Sequence, residues 1–305
     1  LHLNGEGYLL WKHIVYPYVF DLEIKPSLLP KPQQLTWNNG YYSIANPNTI
    51  FVENPTLQKE ALLLQHEMQK KGLRAEITKI KPSQDNYITL KIGIVSSPLH
   101  AEEAYNLKTT ADKITLTANT AHGIHNAIQT LLQLMRNDVA VDASEITDWP
   151  AFAWRGFMVD VGRNYQSMKL LKQQIDVMAA YKMNIFHFHP TEDIAWRLQS
   201  KLYPQLTNPE YMLRDKGEYY TENDLKELIN YCKERHITLV PEIDMPGHSA
   251  AFKRAMGVDM QSDAGLEIVK NIIKEFCATY DVPYLHLGAD EVKITNQKFL
   301  PEVIA

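Results

Sequence analysis

Between residue 25 and about residue 148, apolar residues recur in two rhythms, short bursts of period two and two longer runs of period near 3.6. The bursts at 41–44, 49–52, 75–80, 87–94 and 113–117 predict strands, several of them carrying β-branched residues. A first helix is expected to open at Asn54-Pro55, a capping residue followed by a proline suited to the first turn. It places Leu57, Ala61, Leu64 and Met68 on one face and stops at Lys70-Lys71-Gly72. A second, over about 121–136, repeats the design with Ile124, Ala127, Ile128, Leu131 and Met135. These patterns predict an α+β domain with its helices on one face of a sheet.

After Asp148-Trp149-Pro150 the rhythm changes to strict alternation. Strands are expected at 157–161, 184–189, 238–243 and 284–288, and amphipathic helices at 170–181, 221–234 and 264–280. Apolar strands alternating with helices imply a parallel sheet, and four such βα units make half of an eight-unit barrel. The fold class is therefore α/β: 1–24 unassigned, a small α+β domain over 25–148, and a partial (β/α)8 TIM barrel over 149–305. The opening stretch is apolar around Leu9 to Phe20 but broken by Lys12, His13 and Pro17. It lacks the basic start and small-residue cleavage site of a signal peptide.

Composition narrows the function. With 305 residues, 45% hydrophobic and 22% charged, the chain has material for two sizeable cores. A net charge of -5 and the lack of a basic stripe argue against a nucleic-acid partner. No run of about 18 apolar residues is present, so no membrane span is expected. Cys232 and Cys277 fall on predicted helices at apolar positions, where burial is expected for both.

Chemistry concentrates at the C-terminal ends of the predicted strands, where α/β folds keep their sites. Val282-Pro-Tyr-Leu285 leads into His286-Leu-Gly-Ala-Asp-Glu-Val292, a buried strand ending in two adjacent carboxylates. Neighbouring like charges push one carboxyl up and leave the other ionised, which suits acid/base work, although an Asp-Glu pair can equally cap a following helix. His187 and His189 lie two apart on one strand face. With His248, His286 and Asp290 at other strand ends they leave a metal-dependent hydrolase open, yet the first strand offers that reading only Asp160. Pro241-Glu-Ile-Asp-Met-Pro-Gly-His248 packs two acids and a histidine into a strand exit, costly unless they pair. An Asp244–His248 hydrogen bond, passed on to the catalytic acid, is the expected pairing. Arg155, opening the first strand, offers a planar fork suited to sugar hydroxyls if it turns inward.

Taken together, Arg155-Gly-Phe-Met-Val-Asp160, Asn184-Ile-Phe-His-Phe-His189 with Thr191-Glu-Asp193 and Trp196-Arg197, the stretch from Pro241 to His248, and His286 to Glu291 resemble glycoside hydrolase family twenty, the β-N-acetylhexosaminidases, in order and spacing. The first domain resembles that family's accessory domain. The resemblance implies an exo-acting enzyme that removes terminal N-acetylglucosamine or N-acetylgalactosamine from an oligosaccharide or glycoconjugate, retaining configuration through the sugar's own acetamido group, one of the exceptions to the two-carboxylate scheme. It implies Glu291 as general acid and base and Asp290 as the residue that orients the acetamido group. Arg155 would grip hydroxyls, and His189, Glu192, Asp193, Asp244 and His248 would be polar support around substrate and acid. No metal or organic cofactor is implied, and an exported location is expected from the family. Ala289, Phe188, Pro190 and Glu192 depart from the family's common residues. Counterparts of its acetamido-pocket tryptophans and tyrosine are not found up to Ala305, so the 305-residue chain by itself is expected to be inactive. A sugar-binding protein without catalysis is the non-enzyme alternative.

Overall fold

The computed structural model describes residues 25–44, 47–135 and 140–305; the unassigned opening stretch and the expected end of the second helix at Arg136 lie outside them. The chain divides into two compact units, Leu1–Ala153 and Trp154–Ala305.

The first unit is a mixed seven-stranded sheet in the order β1-β7-β5-β6-β4-β2-β3. Its strands are β1 (Gln34–Ser43), β2 (Asn48–Val52), β3 (Ala75–Thr78), β4 (Tyr87–Ile92), β5 (Tyr105–Thr109), β6 (Lys113–Ala118) and β7 (Ala140–Asp148). Helices α1 (Gln58–Lys70) and α2 (Ala121–Leu134) touch each other and the sheet, so they share one face as expected. Asn54 caps a short 3-10 turn, Pro55–Leu57, that precedes α1. Strands β5 and β7 were not expected. Asn106, Lys108, Asp142, Ser144 and Glu145 dilute their hydrophobic pattern, and pairing on both sides of each overrides that weak local preference.

The second unit holds β8 (Gly156–Asp160), β9 (Ile185–His189) and β10 (Thr238–Pro241), parallel and in the order β10-β9-β8. Helices α3 (Met168–Ala180), α4 (Glu222–Lys233), α5 (Ala250–Met256), α6 (Asp263–Thr279) and α7 (Phe299–Ile304) complete it. Phe186 and Phe188 of β9 are fully buried in the core that the helices close, which sends His187 and His189 to the opposite sheet face. The expected fourth strand is reduced to one parallel bridge, Glu242 to His286. Backbone bonds run from His286 N–H to the Pro241 carbonyl and from Ile243 N–H to the His286 carbonyl, and Met245 N–H reaches the Leu287 carbonyl. The chain then turns into left-handed backbone at Gly288, Ala289 and Glu291, which ends any ladder. Cys232 is buried as expected, but Cys277 is exposed, because the inward stripe of α6 is Leu266, Val269, Ile272 and Phe276 and the next residue lies a quarter-turn away.

Candidate active site

The C-terminal ends of β8, β9 and β10 and the His286–Glu291 segment converge on one cluster. From β8, Asp160 accepts from Arg163 N–H (2.9 Å) and pairs with the Arg163 guanidinium (2.7 Å). The other side of that guanidinium lies 2.7 Å from Glu192, on the loop after β9. Glu192 is buried and also accepts from Asp193 N–H at 2.8 Å. Burial works against the charge of Arg163, but Glu192, Asp160 and Glu291 outweigh it and raise its pKa.

His248 stands at the centre. Its Nδ1 lies 3.5 Å from Glu192 Oε2, and its Nε2 lies 3.4 Å from Glu291 Oε2 and 4.0 Å from Asp290 Oδ2. The imidazole thus bridges a buried carboxylate and an exposed one, the arrangement that lets a histidine tune a proton donor. Asp193 is 4.0 Å from His248 Nδ1, and its carboxylate accepts from Ala250 N–H at 2.8 Å, at the start of α5. Its main bond is structural.

The expected Asp244–His248 pairing gives way to another. Asp244 is buried, its Oδ1 accepts from Ala289 N–H at 3.3 Å, and its own N–H donates to Thr191 Oγ1 at 2.9 Å. Its Oδ2 has no hydrogen-bond partner and faces His189 Nε2, also unpartnered, at 3.8 Å. Burial lifts the Asp244 carboxyl to about 6; the Ala289 amide opposes the rise, and Glu242 and Asp290 add to it. His248 has a donor atom within 4.8 Å of the Asp244 carboxylate, but its nearest carboxylates are Glu291 and Glu192.

Two close approaches force glycine. A Cβ on Gly288, whose φ is +65°, would sit 1.9 Å from Asp244 Oδ1; one on Gly247 would sit 2.7 Å from the Asp290 carbonyl. Both carboxylate-bearing turns therefore nest because those positions carry no side chain. Ala289 follows Gly288 with φ +75° despite its Cβ, a strained conformation for L-residues.

Arg155 is not brought to this cluster. It precedes β8, donates through Nε to the Lys182 carbonyl at 2.8 Å, and so lies at the N-terminal end of the sheet. The five residues from Arg155 to Asp160 in extended chain put roughly 17 Å between them. Arg163 is the arginine at the reactive end. The sequence carried a signal for it, a cation three residues past Asp160 at a strand exit.

Behind the acid pair, Glu242 is buried, 2.5 Å from His187 Nε2 and 3.3 Å from His286 Nδ1. His187, Glu242 and His286 have donor atoms spaced closely enough to consider a metal, as do His189, Glu242 and Asp244. In the first set the nitrogens are already engaged, His187 with Glu242 and His286 Nδ1 with the Gly288 amide at 3.0 Å.

Residues 25–149 match the family model described as glycosyl hydrolase family 20, domain 2, and residues 152–263 match the model of that family's catalytic domain. A β-hexosaminidase of Porphyromonas gingivalis is 32% identical over 87% of this chain and 39% of its own length. One from Vibrio furnissii is 31% identical over 87% of this chain and 49% of its own. Among solved structures, β-N-acetylhexosaminidase from Bacteroides fragilis superposes with a TM-score of 0.78 at 29% identity, covering 90% of this chain and 59% of that one. Streptomyces plicatus N-acetyl-β-hexosaminidase, solved with Thio-NAglucal, gives 0.79 at 27%, covering 88% and 60%. The chain spans less than half the length of these two curated relatives.

Proposed function

This chain belongs to glycosyl hydrolase family 20, and from that premise we propose that the protein carrying it is an exo-β-N-acetylhexosaminidase acting on terminal non-reducing N-acetylhexosamine. The observation that carries the reading is the chain of groups Glu192, His248 and Glu291, within 3.5 Å at each step, beside Asp290 at the C-terminal end of a β/α sheet.

In this mechanism the substrate's 2-acetamido oxygen attacks the anomeric carbon while Glu291 gives its proton to the departing glycosidic oxygen. The product of that step is an oxazolinium ion. Glu291, now a carboxylate, takes a proton from the water that opens the ring, so the acid is restored and configuration retained. His248 stabilises the carboxylate form through Nε2 while Glu192 holds its other nitrogen. Asp290 orients the acetamido N–H and balances the positive charge that develops. Arg163, half exposed and held by Asp160 and Glu192, takes the place first given to Arg155 as the cation for sugar hydroxyls.

Substituting Glu291→Gln in the full-length protein removes the proton donor and keeps the shape. Turnover of alkyl glycosides, with poor leaving groups, should fall by about 10²–10⁴-fold, and that of nitrophenyl glycosides much less. Equal losses on both substrates would remove Glu291 from the role of acid.

A further inference from the structure

Three groups, the buried Glu242, the partly buried His187 and the exposed His286, touch none of the groups that act in the proposed reaction, yet they sit beside the acid pair. Glu242 faces both imidazoles, whose ring centroids are 4.8 Å apart. Burial alone would raise the Glu242 carboxyl, but other effects, led by the hydrogen bond from His187, hold it below the ordinary carboxylate value. It is a charged anchor. The bond to His187 fixes one oxygen, and the parallel bridge between Glu242 and His286 fixes the two backbones.

His286 reaches forward from that anchor. The Gly288 N–H donates to His286 Nδ1 at 3.0 Å, nearer than Glu242 Oε1 at 3.3 Å. A ring nitrogen offers either a proton or a lone pair, so accepting this bond requires a bare Nδ1 and a neutral ring protonated at Nε2. In that form the imidazole does what an asparagine side chain does in an Asx-turn, taking the amide two residues ahead. The next amide, Ala289 N–H, is taken by Asp244. Two successive amides are thus gripped by two side chains just before Asp290 and Glu291, where the backbone is left-handed at Gly288, Ala289 and Glu291 and has no ladder to hold it.

We propose that His286 is a positioning residue: seated by its backbone bridge to Glu242 and its ring contact with His187, it accepts the Gly288 amide at Nδ1 and so sets the turn that presents Asp290 and Glu291. The proposal rests on the hexosaminidase reading for its consequence in turnover but not for its geometry. It gives a role to a histidine at a strand exit that the chemistry leaves unused.

The test uses the full-length protein with His286→Phe, which keeps a ring and loses the acceptor, and His286→Asn, which keeps an acceptor within reach of the same amide. On an aryl N-acetyl-β-hexosaminide, the Phe variant should lose about 10²-fold in kcat with little change in KM, the cost of a misplaced catalytic group. The Asn variant should restore most of that loss. A Phe variant with wild-type kcat, or an Asn variant as impaired as Phe, overturns the proposal. If the wild-type protein turns over no hexosaminide, the functional reading falls, and the geometry is decided separately. In ¹⁵N-histidine-labelled protein the His286 signals, identified by their loss in the Asn variant, should show a bare Nδ1 and a protonated Nε2. A proton on Nδ1 overturns the proposal whatever the activity.

Discussion

Asp244 is the carboxyl whose surroundings oppose its charge most plainly, and this has a consequence for stability. Burial raises it to about 6 from an ordinary 3.8. Between those values the unfolded chain has released the proton and the folded chain still holds it, so the folded state binds more protons and stability falls as pH rises. Above about 6 the penalty is complete and flat. Asp244→Asn keeps an acceptor for Ala289 N–H and removes the titration. Its stability relative to the parent should therefore climb from pH 4 to about pH 6 and then level, as followed by urea unfolding across that range. A difference that did not change with pH would clear Asp244 of the effect. At this scale the sequence was legible in residue type and poor in partnership. Acids and a histidine crowded into Pro241–His248 announced a site, but which carboxylate meets which nitrogen depends on how neighbouring strand exits are staggered. Arg155 and Arg163 make the same point: both flank one strand, and what the structure adds is that Arg163, at its exit, is the one that meets Asp160 and Glu192.

The alternation of apolar strands and amphipathic helices was enough to place α3, α4, α6 and strands β8 to β10, because each buries a face with its own period. It failed where tertiary partners decide, at β5, β7 and the single-bridge remnant of the fourth strand. It was also silent on the stretch 190–221 between β9 and α4, which is ordered with little regular structure. Arg197 explains that order. Fully buried, it donates to the carbonyls of Gly162, Arg214, Asp215 and Glu218, and it stacks 5.9 Å from the Tyr165 ring. A planar five-donor fork can serve four carbonyls on two segments; an ammonium on a flexible stem, with three donors, cannot. Arg197→Lys leaves at least one of those carbonyls buried without a partner, at roughly 1–3 kcal/mol each. The expected result is a second-unit transition at lower denaturant with an unchanged slope. An unaltered midpoint would show that the four bonds contribute nothing net.

For the molecule as a whole, β8 is an edge strand of its sheet among the described residues, and Phe157, Val177 and Tyr181 beside it are exposed. Unpaired strand edges next to apolar surface favour association. Asp290 and Glu291 are 66% and 76% exposed in their side chains, far from the water-excluded setting in which such pairs act. A 305-residue polypeptide of this sequence should therefore self-associate on size exclusion and show no hexosaminidase turnover; a clean, active monomer would contradict both. Each unit also has a hydrophobic core of its own, one built on the seven-stranded sheet and one on β8 to β10. The consequence concerns cooperativity. A chain with two cores has no single unfolding free energy, and a signal averaged over both would blend two transitions into one shallow curve. Trp37 and Trp149 report on the first unit and Trp154 and Trp196 on the second, so fluorescence from the second pair alone is the thermometer for Asp244 and Arg197.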